Sequence, residues 1–462
     1  MFACGFRFLG VTAIILLVTA GCAALPDSDA LIDRHSGQTA KFENAGGPLS
    51  AQKGAAIVAD LKRKSGDIDI LDKQIALEQA IVGSPLTTGN KVVLLEDGKA
   101  TYAAMFAAIR GARDHINFET YIIEDDEIGQ QFADLLLLQQ QRGIQVNLIY
   151  DSVGGITTPK AFFERLKQGG INVLEFNPIN PLATKKPWLL NHRDHRKLLV
   201  VDGRIAFLGG INISNVYSAG SRARLHTEAE QKKSAWRDTD LQIEGPAVGE
   251  LQKLFIETWA KQHGEPLAAR KYFPELKAQG KDIVRAIGST PDEPYSLIYV
   301  TLISAIGNAE RQVQLTNAYF IPDAQLLKAL TDAAGRGVEV TLILPSHTDS
   351  EIVFHAGRSH YSTLLKAGVR IYERRGALLH AKTALVDGVW TCVGSTNLDW
   401  RSFLDNDEIN AVVLGRDFAG QMTAMIARDL ATSEAITREA WERRSPLLRI
   451  KEWGASLLQR LL

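Results

Sequence analysis

Two histidine–lysine pairs carry the chemistry this sequence offers. His195-Arg196-Lys197 is followed after four residues by Asp202 and after six more by Gly209-Gly210-Ile211-Asn212. His380-Ala381-Lys382 is followed at the same intervals by Asp387 and Gly394-Ser395-Thr396-Asn397. One H-x-K-x4-D string is a weak signal, but two with a glycine and an asparagine at equal offset are a strong one. Positions i and i+2 of a strand share a face, so each histidine is expected to point the same way as its lysine. If two halves meet about a pseudo-twofold axis, two imidazoles and two ammonium groups surround a space sized for one phosphoryl centre. An unperturbed pKa of about 6.5 lets one imidazole attack as a neutral nucleophile while the other donates a proton. The lysines, the Asn212 and Asn397 amides and nearby backbone N–H groups can neutralise the phosphoryl oxygens. This chemistry needs no divalent cation and no cofactor, and the chain has no H-E-x-x-H, no C-x-x-C and no carboxylate cluster at ligand spacing.

The elements that must position these residues also occur twice. KVVLLEDG, TYAAMFAAIRGA, HINFETYII, IGQQFADLLLLQQQRG and IQVNLIYDS alternate strand and helix. DIVRAIGS, YSLIYVTLISAIGNA, RQVQLTNAYFIP, AQLLKALTDAAGRG and VEVTLILPS repeat the order, with matching aromatic strand ends at Tyr121 and Tyr319. Helices of 10–16 residues between short β-branched runs indicate α/β units with largely buried sheets. The expected fold is therefore two similar α/β domains related by a pseudo-twofold, each a mixed sheet flanked by helices, not one large sheet. The boundaries read as a helical N-terminal segment at 22–84, domain 1 at 85–263, a linker at 264–280, domain 2 at 281–444 and an amphipathic tail at 445–462.

The chain has 462 residues, with 52 Lys+Arg against 53 Asp+Glu, 45% hydrophobic and 23% charged. That mix describes a folded protein, and the near-neutral balance argues against a protein whose main task is gripping nucleic acid. Three cysteines are too few for a disulfide framework. At the start, Arg7 precedes an apolar run over residues 8–21 and then Cys22. This reads as a secretory signal, too short for a bilayer core of about 30 Å. Thr19-Ala20-Gly21-Cys22 resembles a bacterial lipobox, with Thr19 where leucine is usual. The expectation is a signal peptide at 1–21, lipidation at Cys22 and catalytic domains outside the cytoplasm, anchored in the cell envelope (periplasmic in a Gram-negative cell). An ordinary signal peptide or an uncleaved anchor is the alternative.

The duplicated motif resembles that of the phospholipase D superfamily, and from about Pro85 to Leu448 the chain is most similar to bacterial cardiolipin synthases. The segments INFETYI, YFIPDAQLLKAL, LLKAGVRIYE, LLHAKTALVDG and GSTNLDWRSFLDNDEI carry the likeness. The resemblance implies a phosphatidyltransferase working through a phosphohistidine, two phosphatidylglycerols giving cardiolipin and glycerol, on a phospholipid substrate at a membrane surface. The catalytic set is then His195, Lys197, Asp202, His380, Lys382 and Asp387, within one chain, with His195 as nucleophile and His380 as acid/base. An acid beyond each motif is expected to hold the imidazole: Glu408 matches for His380, and Asp238 for His195. Asp202 and Asp387 read as braces of the fold rather than substrate contacts. Hydrolysis to phosphatidic acid, a nuclease-type phosphodiesterase and a non-catalytic membrane scaffold are the competing functions. Many cardiolipin synthases begin with two membrane-spanning helices, where this chain has a lipoprotein-like signal.

Other residues have plainer readings. His192 precedes His195 at H-x-x-H spacing, but with no third ligand it is a supporting or surface histidine. Ser395 is a phosphate-contacting or packing hydroxyl, since the first copy has Gly210 there, and Cys392 is a buried structural thiol. In the tail, Leu447, Ile450, Leu457, Leu458, Leu461 and Leu462 fall largely to one side of a helix. They suit either an interfacial helix or a final helix docked on domain 2.

Overall fold

The computed structural model describes residues 41–66, 68–180, 191–218 and 236–462, with Asp27, Ala30, Leu31 and Arg34 ahead of them. The leader at 1–21 and Cys22 lie outside the described residues. The first copy contributes β1 (Leu86–Glu96), β2 (His115–Thr120), β3 (Gln145–Asp151), β4 (Asn172–Phe176), β5 (Leu198–Val201), β6 (Ile205–Gly209) and β7 (Thr239–Glu244), in the order β4-β3-β2-β5-β6-β7-β1. The second contributes β8 (Asp282–Ser289), β9 (Gln312–Asn317), β10 (Glu339–Pro345), β11 (Arg370–Arg374), β12 (Lys382–Val386), β13 (Trp390–Gly394) and β14 (Asn406–Leu414), in the matching order β11-β10-β9-β12-β13-β14-β8. The first three strands of each order are mutually parallel and the rest antiparallel, so both sheets are mixed, as expected.

The expectation of two separate sheets needs correction. Strand β1 is long enough to serve both copies: Glu96 to Lys91 pair with β7, while Asn90 and Thr87 pair with Asp282 and Val284 of β8. One hydrogen-bonded ladder therefore runs through the whole molecule.

Burial on both faces explains the apolar strand sequences. In β5, Leu198 and Val200 point to one side and Leu199 and Val201 to the other, and all four are buried. The outer face of the first sheet packs under α3 (Asp97–Gly111), α4 (Glu127–Gln141) and α5 (Lys160–Gln168), through Met105, Phe132 and Phe162. The inner faces of both sheets share one core, filled from the first half by α6 (Ala247–Lys261) and from the second by α11 (Arg416–Ala431), where Phe255 and Met422 lie in the same cluster. The linker thus joins halves that share this inner core while each keeps an outer core of its own.

The N-terminal segment contains α1 (Ala51–Ser65) and α2 (Ile70–Ile81), after a short hairpin at Phe42–Asn44 and Gly47–Pro48. Its partner is the second half. Glu78 of α2 is fully buried, accepts from Trp390 Nε1 at 2.9 Å and lies 3.6 Å from Arg285 Nε. Beside it, Gln74 donates to Thr301 of α7 (Leu297–Gly307). Cys392 is buried, accepts from Asn410 Nδ2 at 3.2 Å and has its thiol pushed up to about 12 by burial. It is the structural thiol expected.

The motif spacing has a structural meaning. After Lys197, four residues of β5 carry the chain to the far end of the strand, roughly 16 Å away at 3.3 Å per residue. There Asp202-Gly203 turns back into β6, with φ of 53° and 60°. Asp387-Gly388 makes the same turn, at 52° and 65°. Aspartate tolerates this left-handed conformation better than most residues, and glycine adopts it freely. Each carboxylate also accepts three backbone N–H groups at the start of a neighbouring strand: Arg113, Asp114 and His115 for Asp202, Glu310, Arg311 and Gln312 for Asp387. Both act as braces, and their place in the catalytic set is withdrawn.

Candidate active site

Each histidine is delivered by a segment that leaves its own sheet to pair with the opposite half. Arg193–Asp194 runs parallel to Asn406–Asp407 at the start of β14, and the His195 N–H donates to the Asp407 carbonyl at 2.9 Å. Symmetrically, Leu379 bridges Arg237, and the His380 N–H donates to the Arg237 carbonyl at 2.7 Å. The expectation that each histidine sits in a regular strand is therefore corrected: these residues precede β5 and β12 because the other half takes their backbone hydrogen bonds. Two buried arginines fasten the crossing. Arg196 donates to Thr258 Oγ1 at 2.6 Å in the first half and to the Glu408 and Ser289 carbonyls in the second. Arg237 makes a bidentate pair with Asp429 of α11, both bonds at 3.0 Å.

The crossing also exchanges the carboxylates. His195 Nδ1 lies 3.0 Å from Glu408, and His380 Nδ1 lies 2.7 Å from Asp238. Chain order pairs Glu408 with His380 and Asp238 with His195, and the structure reverses both assignments. Within each half the acid follows the motif, but the pseudo-twofold carries it to the partner's ring. With Nδ1 engaged, Nε2 is the atom each imidazole has for chemistry.

The supporting groups differ between the two sides. Ser395 donates its hydroxyl to Glu408 and accepts the Ile409 N–H at 3.0 Å, so it holds a carboxylate rather than a phosphate. At the matching position, a Cβ on Gly210 would come within 2.3 Å of an Asp238 carboxylate oxygen, which explains the glycine. Around His195 stands Tyr121, edge-on at 5.1 Å, with Lys197 Nζ over its ring. His380 is surrounded by Trp236, Tyr319 and Tyr217, the last with its hydroxyl 3.2 Å from Nδ1. Asn212 is committed to this scaffold, accepting the Ile122 N–H and donating to the Tyr217 hydroxyl. Asn397 is buried with Oδ1 unpartnered. His192 is a supporting histidine, with Nε2 2.8 Å from Asp407.

Burial governs the electrostatics. It lowers His195 to about 4, against the Glu408 charge and with help from Lys197 and Lys382. His380 is held below its ordinary value by burial and by the Lys382 charge, against the pull of Asp238. Burial brings Lys197 down to about 7, with the Lys382 charge adding to it. Lys382 is brought to about 8, again by burial. The charge of each lysine reaches the other half's histidine, so all four groups converge on one site. Glu408 stays below the usual carboxylate range because His195, Lys197 and Ser395 outweigh its burial. Two neutral-leaning imidazoles backed by carboxylates, among cations that are poorly solvated, form a site short of one anion.

Of the sequence-predicted residues, the structure gathers His195, Lys197, His380, Lys382, Asp238, Glu408 and Ser395. Tyr217 and Trp236 were missed. Neither has a counterpart at equal offset in the other copy, so the repeat gave no signal for them.

Comparison with known proteins agrees with this geometry. The family described as "Cardiolipin synthase, PLD-like domain" matches residues 105–222 and 302–430. A cardiolipin synthase of Halalkalibacterium halodurans is 34% identical over 391 residues, covering 84% of this chain and 75% of its own. Cardiolipin synthase A of Pseudomonas putida is 36% identical over 361 residues, covering 77% and 71%. The crystal structure of a phosphatidylserine synthase from Haemophilus influenzae shares the fold, with a TM-score of 0.60 at 13% identity over 83% of this chain and 99% of that one. With both halves matched by the family and most of the chain aligned at one-third identity, the chain belongs to the cardiolipin synthase family of phospholipase D-like proteins.

Proposed function

We propose that this chain moves a phosphatidyl group from one phospholipid to the hydroxyl of another, two phosphatidylglycerols giving cardiolipin and glycerol. The observation that carries this reading is the crossed pair of imidazole–carboxylate units between two lysines. Its relatives named as cardiolipin synthases support the same substrate class. His195 Nε2 attacks phosphorus and the bond to the departing glycerol oxygen breaks, that oxygen taking a proton from His380. The incoming lipid hydroxyl then returns a proton to His380, its oxygen attacks phosphorus and the P–N bond breaks, freeing His195. A neutral His195 suits the nucleophile. The entering phosphodiester anion favours the imidazolium that burial otherwise disfavours at His380, and the two ammonium groups take up charge on the phosphoryl oxygens. We place the enzyme at a membrane surface outside the cytoplasm, anchored through Cys22. The basic residue, apolar run and small residues before that cysteine support this. Among the described residues no helix is long and apolar enough to cross a membrane.

Incubation with labelled phosphatidylglycerol in EDTA, followed by lipid chromatography, tests the reading. Labelled cardiolipin is expected. Phosphatidic acid alone would show hydrolysis, and no product from a folded preparation would end the proposal. The pH profile of kcat/KM is a second check. The neutral form of His195 is the active one, so activity rises as pH climbs through about 4. His380 must carry its proton and the lysines their charge, so activity falls as pH rises, first through the His380 value, which burial holds below that of an ordinary histidine, and further between about 7 and 8 as the lysines lose protons.

A further inference from the structure

The C-terminal helix α12 (Pro446–Ser456) docks with the wrong face inward for an ordinary surface helix. An amphipathic helix on a globular protein buries its apolar stripe. Here the buried residue is Glu452, bound by Arg444 Nε at 2.8 Å and 3.9 Å from Arg358 Nε, beneath arginines stacked on Trp441. The apolar residues face out: Leu447, Ile450, Trp453, Leu457 and Leu461 are each between 63% and 75% exposed. At 3.6 residues per turn, Leu447, Ile450, Trp453 and Leu457 fall within an arc of about 120°, and the exposed Arg449 and Lys451 flank that arc on its two sides. The tail is docked on the second half, with its apolar stripe left outward.

We propose that residues 446–461 lie flat on an anionic lipid surface, the apolar stripe sunk among acyl chains and Arg449 and Lys451 at the headgroups. An apolar stripe edged by basic side chains is the arrangement that binds the interface of anionic membranes, because stems can bury while charges reach phosphate. Position supports the same occupant. The tail packs on α9 (Glu351–Arg358), which adds the exposed Ile352, and Arg460 lies 5.4 Å over Trp400 of α10 (Trp400–Leu404). Both helices start at the site: Asp349, just before α9, accepts from Tyr319, which stands edge-on to His380, and the charge of Asp399, the N-cap of α10, reaches Lys382. A bilayer held by the tail would therefore lie close to the helices that begin beside His380 and Lys382. The inference rests on the substrate being a membrane phospholipid.

The test uses the full-length protein and its Trp453→Phe variant, whose difference in fluorescence reports one of the seven tryptophans. Vesicles of phosphatidylglycerol with brominated acyl chains are expected to quench the Trp453 contribution by roughly half or more, with less quenching in brominated phosphatidylcholine. The double variant Leu447→Ser, Ile450→Ser is expected to lose roughly tenfold in kcat/KM on vesicles, yet stay within about twofold on dispersed short-chain phosphatidylglycerol. Indifference of Trp453 to the bromines overturns the proposal. So does a Trp453 signal that shifts with protein concentration in the absence of lipid, which would identify a second copy as the occupant. Failure of the catalytic reading looks different: wild type would form no transfer product from either form of lipid, whatever Trp453 reports.

Discussion

Replacing His195 by alanine is expected to lower turnover by about 10⁴-fold or more, because on the proposed route His195 is the group that bonds to phosphorus and the two-step path disappears with it. The companion variant His380→Ala separates the roles. General acid catalysis matters for an alkoxide leaving group and hardly at all for a good one such as p-nitrophenolate. With a phosphatidyl p-nitrophenyl donor, His380→Ala is therefore expected to release a single burst of nitrophenol and then stall as a phosphohistidine, lacking a base for the acceptor. His195→Ala gives no burst. A burst from His195→Ala and none from His380→Ala would exchange the two roles and leave the rest of the site intact.

Substituting Glu408 by glutamine is expected to cost about 10³-fold in kcat, since an amide neither fixes the imidazole as the carboxylate does nor balances its developing charge. The informative part is which half-reaction suffers. Glu408 contacts His195 and Asp238 contacts His380, each across the pseudo-twofold. Glu408→Gln should slow the nitrophenol burst, as loss of His195 does, whereas Asp238→Asn should spare the burst and slow turnover. The order of residues in the chain suggests the opposite pattern, so rapid-mixing kinetics on these two variants decides between crossed and uncrossed pairing.

Much of this molecule was legible in its sequence because repetition reports on packing. The two copies of strand, helix and motif gave the mixed sheets and the four basic side chains, and the aromatic strand ends Tyr121 and Tyr319 stand beside His195 and His380. What the repeat could not convey is which half a side chain finally touches. Two-fold packing moves every interfacial contact onto the partner copy, so Glu408 and Asp238 were assigned to the wrong rings. Arg196 occupies the variable place in its motif, with Ala381 opposite, and nothing in that pattern marks it as a fastener between halves. The long β1 hid for a similar reason: its apolar run is the same whether one neighbour or two receive its hydrogen bonds. In the tail, spacing identified the apolar stripe but not its orientation, which is set by the remote Arg358 and by Arg444 around Glu452.

The unequal surroundings of the two rings have an evolutionary consequence. A pair of identical subunits meeting at such an axis would be compelled to keep both imidazoles in the same environment, since any change in one appears in the other. Joined in a single polypeptide, the copies are released from that constraint. A hydroxyl can steady one carboxylate where a bare backbone crowds its counterpart, and three aromatic rings can surround one imidazole where a single ring stands beside the other. Covalent fusion lets the attacking group and the proton carrier sit in different settings, each suited to its own task.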